Sequence, residues 1–144
     1  MERKVKTLSQ ITMAIVLSNV AEVLIGCAGI DLVPQSSDLT GSFCNLQGPS
    51  EQLSLIVTVK NQGTANAPTS LTTIQFLGVP APGAPPITSP TPPIAAGASI
   101  TLPPVPVPEC GAPNCSADII VDSANTVRES NENNNVLKCL VRIG

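Results

Sequence analysis

The side chains with the most chemical capacity in this 144-residue chain lie between Asp122 and Asn135. Asp122, Glu129 and Glu132 supply carboxylates there, and Asn125, Asn131 and Asn135 supply amide oxygens. Hard oxygen donors at this density suit Ca²⁺, which takes roughly six to eight of them. Asp122, Asn125, Glu129 and Glu132 are the candidate calcium ligands. The pattern is not an EF-hand, because it lacks the central glycine and the regular alternation of ligands. The same residue types also build turns, since Asp and Asn side chains bond to nearby backbone N–H groups and Asn tolerates left-handed φ. On that reading Val127 is the plug that pins the corner to the core.

Catalysis finds little to work with. The chain has no histidine, which removes the commonest general base and metal ligand. Lys60 and Lys138 fall on outward faces, and Asp118 and Asp122 share one strand face where solvation accounts for them. Glu129 and Glu132 stand three apart in a turn, without a nucleophile beside them. The expectation is a protein that is not an enzyme and carries no obligatory cofactor. Nucleic acid is also excluded as a partner. The net charge is -3, and Lys60, Arg128, Lys138 and Arg142 form no basic patch or stacking surface.

Cys44, Cys110, Cys115 and Cys139 are the remaining reactive groups in the body of the chain. Four cysteines allow three disulfide connectivities in an exported domain. Gly111-Ala112-Pro113-Asn114 is a tight turn that brings Cys110 to Cys115, which leaves Cys44 for Cys139. The spacing is irregular for a structural zinc site, and no paired knuckle is present.

The elements that must position these groups read as strands. Leu53, Leu55, Val57 and Val59 alternate with Gln52, Ser54, Thr58 and Lys60, which describes a half-buried antiparallel strand with Ile56 as its apolar exception. Asn61 to Pro68 is the turn after it, with Gly63 available for a positive φ. Thr72, Ile74 and Phe76 alternate with Thr73, Gln75 and Leu77. Val79 to Pro93, rich in proline and uncharged, reads as an extended surface connection. Ala98, Ile100 and Leu102 share a face. Pro104, Pro106 and Pro108 then remove donors from one edge, while Val105 and Val107 can pair on the other, as in a protected edge strand. Ala117, Ile119 and Val121 line one strand, and Leu137, Cys139, Val141 and Ile143 line the last. The core is aliphatic, because Phe43 and Phe76 are the whole aromatic complement. About seven short strands imply an all-β antiparallel sandwich.

The leader has a different character. Arg3, Lys4 and Lys6 precede the short apolar run Ile11 to Leu17, as in a secretory signal. Leu24-Ile25-Gly26-Cys27 resembles the lipobox of bacterial lipoproteins, which implies cleavage before Cys27 and acylation of its sulfur. Residues 1–26 are then a signal peptide and 27–144 the mature domain. An ordinary signal cut after Ala28 also leads to export, and an uncleaved helix is the remaining reading.

Three motifs carry a second resemblance. Val59-Lys60-Asn61-Gln62-Gly63-Thr64-Ala65, the Cys110 to Cys115 turn, and Asp122…Asn125…Glu129-Ser130-Asn131-Glu132…Asn134-Asn135 are similar to the CARDB family, the cell-adhesion-related domain found in bacteria. The resemblance covers about Ile30 to Ile143. It implies an immunoglobulin-like β-sandwich on an exported or surface protein, without catalysis. The expectation is an exported, lipid-anchored module for adhesion or for contact with a protein or envelope polymer, exposing a patch on one sheet that includes Ile56 and Ile120. The alternative is a module that binds Ca²⁺ or carbohydrate through the Asp122 to Asn135 corner. The expected location is the cell envelope, with the membrane reached through the lipid anchor, or otherwise the periplasm or the medium.

Overall fold

The structure, a computed structural model, describes residues 29–36, 40–79, 83–110 and 115–142. Ten short strands run in chain order: β1 Leu32–Gln35, β2 Leu46–Gln47, β3 Ser54–Leu55, β4 Thr58–Asn61, β5 Ser70–Leu77, β6 Ile87–Thr91, β7 Ser99–Thr101, β8 Val105–Pro106, β9 Cys115–Val121 and β10 Val136–Val141. All pairings between these strands are antiparallel. One layer is the four-stranded sheet β10-β9-β5-β6. The other consists of two short sheets, β1-β4-β7 and β2-β3-β8. The fold is an all-β sandwich.

The run from Leu53 to Lys60 serves both short sheets, so what reads as one strand is two. Its middle is still held by backbone bonds, Ile56 N to Asn45 O at 2.8 Å and Leu102 N to Val57 O at 2.9 Å. Leu55, Val57 and Val59 point inward and join Ile74, Phe76, Ala117, Ile119 and Val121 in one core. Burial of each such aliphatic side chain contributes about 1.5–3 kcal/mol.

Val79 to Pro93 is not a bare surface connection. Ile87–Thr91 is β6, paired with β5 from Ile74↔Ile87 to Ser70↔Thr91. Its inward contact is polar: Thr72 and Thr91, both buried, share a hydroxyl bond of 2.7 Å. At the opposite edge β8 behaves as its prolines demand. Val107 N donates to Leu53 O at 2.9 Å, and the odd-numbered valines supply the donors that the even-numbered prolines lack.

Cys44 is joined to Cys139 with a Cα–Cα distance of 4.9 Å, and Cys110 to Cys115 with one of 5.5 Å. Residues 42–44 also run along the edge of β10, with Leu140 N donating to Ser42 O and Cys44 N to Leu140 O. Residues 42–44, β10 and the long disulfide are thus one joint. Residues 1–28, with the signal segment and Cys27, lie outside the described residues, as do the 111–114 turn and Ile143.

Candidate functional site

β9 ends at Val121, and the next residue reverses the chain. Asp122 has φ of 47° and Asn125 of 50°, a left-handed conformation that Asp and Asn adopt at least cost. Asp122 is therefore not on the outer face with Asp118. It is 6% exposed, and its carboxylate turns back into the corner. Oδ1 accepts from Thr126 N at 3.1 Å and Thr126 Oγ1 at 3.3 Å, while Oδ2 accepts from Val127 N at 3.0 Å. These bonds replace the water that burial removes. Val127, itself buried, is the plug beneath the turn.

Glu129 is half-buried in the same corner. Its Oε1 accepts from Asn135 Nδ2 at 2.8 Å, and its Oε2 accepts from Leu32 N. Burial pushes its carboxyl up to about 7; the bonds from Leu32 and Asn135 oppose that rise, and the charges of Glu132 and Asp122 add to it. Glu132 is exposed, and its Oε1 accepts from Glu129 N at 2.8 Å. One oxygen from each of Asp122, Glu129 and Glu132 falls within 4.8 Å of the others. Of the four candidate ligands, these three converge. Asn125 is exposed and serves the turn, donating its backbone N–H to Asp122 O at 2.8 Å.

Three carboxylates this close repel one another, so the corner favours a proton or a cation among them. Its oxygens are acceptors of the hard type that Ca²⁺ prefers. Of the polar groups around them, Thr126 Oγ1 donates to Asp122 Oδ1 and Ser130 Oγ to Ile30 O, while Asn134 Oδ1 is buried without a hydrogen-bond partner among the described residues.

The turn after β4, read from the sequence as Asn61 to Pro68, is a neighbour of this corner, and that proximity the sequence did not foretell. Asn61 is fully buried and uses its whole side chain: Nδ2 donates to Ala65 O at 2.7 Å and Ile94 O at 3.1 Å, and Oδ1 accepts from Asp31 N at 3.2 Å and Gly63 N at 3.1 Å. Gly63 is needed for close approach rather than for a positive φ. A Cβ there would lie 1.8 Å from Gly29 O and 2.8 Å from Asp31 N. The motif around Asn61 and the motif around Glu129 thus meet on the same stretch, residues 29–32. An Asn-x-Gly triplet after a strand was the available signal, but it says nothing of which segment would press on it.

The family profile of CARDB matches residues 31–139. The chain belongs to the CARDB family. The match spans both turns and the long disulfide. CARDB is a non-enzymatic domain family associated with adhesion-type modules, and its members together with these disulfides fit an extracellular or envelope setting. The fold is similar to the crystal structure of the CARDB domain of a Pyrococcus furiosus protein in complex with di-metal ions, at a TM-score of 0.56 and 22% identity over 80% of this chain and 89% of that one. No curated protein matches the sequence.

On the far side of the four-stranded sheet, the outward residues form rows across the strands. Val136, Ile120, Thr73 and Thr88 make one, and Leu140, Ser116 and Leu77 another. Between them Lys138 Nζ pairs with Asp118 Oδ2 at 2.9 Å, beside Gln75. Leu71, Leu77, Val136 and Leu140 are the large hydrophobics that stand exposed among the described residues, and all four belong to this face. Ile120, half-buried, lies within it; Ile56, also half-buried, belongs to the other layer.

Proposed function

We propose that this CARDB domain is an exported, non-catalytic module, lipid-anchored through Cys27, that engages a protein partner through the outer face of β10-β9-β5-β6. The observation that carries this reading is the confinement of Leu71, Leu77, Val136 and Leu140 to one sheet face. Apolar residues gathered on one surface mark interaction sites more often than scattered ones do. The Lys138–Asp118 pair between the apolar rows offers a partner both signs of charge, which sets register rather than adding much affinity. A protein fits better than a polysaccharide, because sugar platforms need open aromatic faces. Phe76 is buried, and Arg142 lies over the Phe43 ring at 4.4 Å. Binding of the purified domain to cell envelopes, compared with the Leu77→Glu and Leu140→Glu double variant, tests the reading; binding lost to polysaccharide competitors would move it to an envelope polymer. Intact mass of the membrane-extracted protein tests the anchor, since acylation at Cys27 and cleavage before it change the mass together.

The corner supports a second reading, that Asp122, Glu129 and Glu132 hold a divalent cation, with Ca²⁺ favoured by their hard oxygens. Their convergence within 4.8 Å motivates it, and the similar Pyrococcus furiosus domain crystallised with di-metal ions supports it by analogy of fold. In this reading the cation fixes the corner instead of acting on a substrate. Titration calorimetry with CaCl₂ on the metal-free domain tests it; absence of heat at millimolar calcium removes it.

A further inference from the structure

Two turns far apart in sequence grip one short segment at the start of the described chain. On one side Gln62 N donates to Asp31 O at 2.8 Å, Gln62 Nε2 to Asp31 Oδ2 at 2.8 Å, and Thr64 N to Gly29 O at 2.8 Å. On the other, Ser130 N donates to Ile30 O at 2.9 Å, Asn134 Nδ2 to Asp31 Oδ1 at 2.9 Å, and Asn135 Nδ2 to Leu32 O at 2.9 Å. Asp31 N reaches Asn61, and Leu32 N reaches Glu129. Six of the eight polar backbone groups from Gly29 to Leu32 are therefore held by a turn.

The apolar attachment of the same segment rests on Leu32, a core residue, and on Ile30, which packs against that core. Leu32 is fully buried, whereas Ile30, Val33 and Pro34 are half-buried and Gln35 is exposed. Both disulfides lie beyond it, the first cysteine of either being Cys44. β1 is also an edge strand, paired with β4 alone in the order β1-β4-β7. Removing it breaks one ladder and leaves β4 paired with β7, whereas removing β5 or β9, each paired on both sides, would break two.

We infer that residues 29–35 form a strap that releases as a unit while the disulfide-closed sandwich stays folded. Local opening of this kind follows where buried apolar contacts are few, and Leu32 is the one fully buried side chain of residues 29–35. The strap is continuous with the residues before Gly29, so a pull from that side reaches it before it reaches the core. Release bares the outer edge of β4, Thr58–Asn61, which is otherwise covered by β1. Gly63 is a point of close approach in the closed form. One methyl group there collides with Gly29 O and Asp31 N and forces the strap off its seat. The inference is independent of what the sheet face or the carboxylates bind.

Residue-resolved hydrogen exchange on the oxidised, full chain tests this. The amides of Asp31, Leu32, Gln62, Thr64 and Ser130 should exchange as one group, about 100-fold faster than those of Thr72 to Phe76 and Ala117 to Val121. Gly63→Ala should accelerate the first group by about 10-fold or more and leave the second unchanged. A single shared rate for both groups in the wild-type protein, or equal acceleration of both by Gly63→Ala, overturns the strap. The wild-type comparison stands by itself if the variant fails to fold.

Discussion

The backbone N–H of Leu32 donates to the carboxylate of Glu129 across 97 residues of sequence. The first strand is thereby held by the same side chain that converges with Asp122 and Glu132. The ionisation of Glu129 and the seating of β1 are physically connected, and the pH dependence of stability follows from that contact.

Glu129 has a carboxyl raised from about 4.5 to about 7, chiefly by burial. The folded chain therefore keeps the proton where the unfolded chain has lost it. Stability from this group is full below about pH 4.5, falls as pH rises toward 7, and is level above that. The group is only half-buried, so solvent screening reduces the effect, to about 2–5 °C of melting temperature. Melting curves from pH 4 to 8 should show the wild type losing ground against Glu129→Gln across that window. Parallel curves would remove Glu129 as the cause.

Calcium should replace the proton. At pH 8 the carboxylates are charged, and a ligand present at about 100 times its dissociation constant stabilises by about 2.7 kcal/mol. Millimolar CaCl₂ should raise the melting temperature of the metal-free domain by several degrees, and chelator should return it. In Asp122→Asn and Glu129→Gln the rise should shrink to near zero. An equal rise in these variants and the wild type would place the cation elsewhere.

The two disulfides should differ in weight. The Cys44–Cys139 bridge closes 95 residues and Cys110–Cys115 closes 5. Chain entropy assigns about 4–5 kcal/mol to the first and about 2 to the second. Denaturant unfolding of Cys44→Ser with Cys139→Ser should show the larger loss, because that bridge also carries the pairing of residues 42–44 with β10. Comparable losses from both pairs would contradict the assignment.

Neighbouring positions on the inner face of β5 predict opposite outcomes. Ser70 Oγ is buried without a hydrogen-bond partner among the described residues, whereas Thr72 Oγ1 is bonded to Thr91. Ser70→Ala removes an unsatisfied group and should be neutral or stabilising by up to about 1 kcal/mol, while Thr72→Val strands the Thr91 hydroxyl and should cost about 1–3. Chemical denaturation of the two variants checks the difference in sign.

The strands easiest to read were those whose inner side is aliphatic. Leu55, Val57 and Val59 announce a buried face, as do Ile119 and Val121. β6 did not, because its inward partner to Thr72 is another threonine and Pro90 breaks the run; alternation of polar residues is invisible to a hydrophobic pattern. Asp122 was misplaced for a related reason. Counting by twos puts it beside Asp118, but the strand stops at Val121 and a φ of 47° turns the next side chain inward. Gly63 and Asn61 depend on a segment about 30 residues earlier in the chain, and no local property of their own sequence names it. The acidic corner was visible as a set of residues, but its geometry was not: Glu129 and Glu132 converge on Asp122, while Asn125 is exposed and its backbone N–H serves the turn.

The most direct test of the proposed function is the binding of the purified domain to cell envelopes of its own organism, measured against the Leu77→Glu and Leu140→Glu double variant with folding checked by melting temperature. Both side chains are 44% exposed, so the substitutions leave the core intact. A hot-spot residue on a protein contact contributes about 2 kcal/mol or more, so the double variant should lose at least about tenfold in affinity while melting within about 2 °C of the wild type. Undiminished binding by a folded double variant would contradict the account.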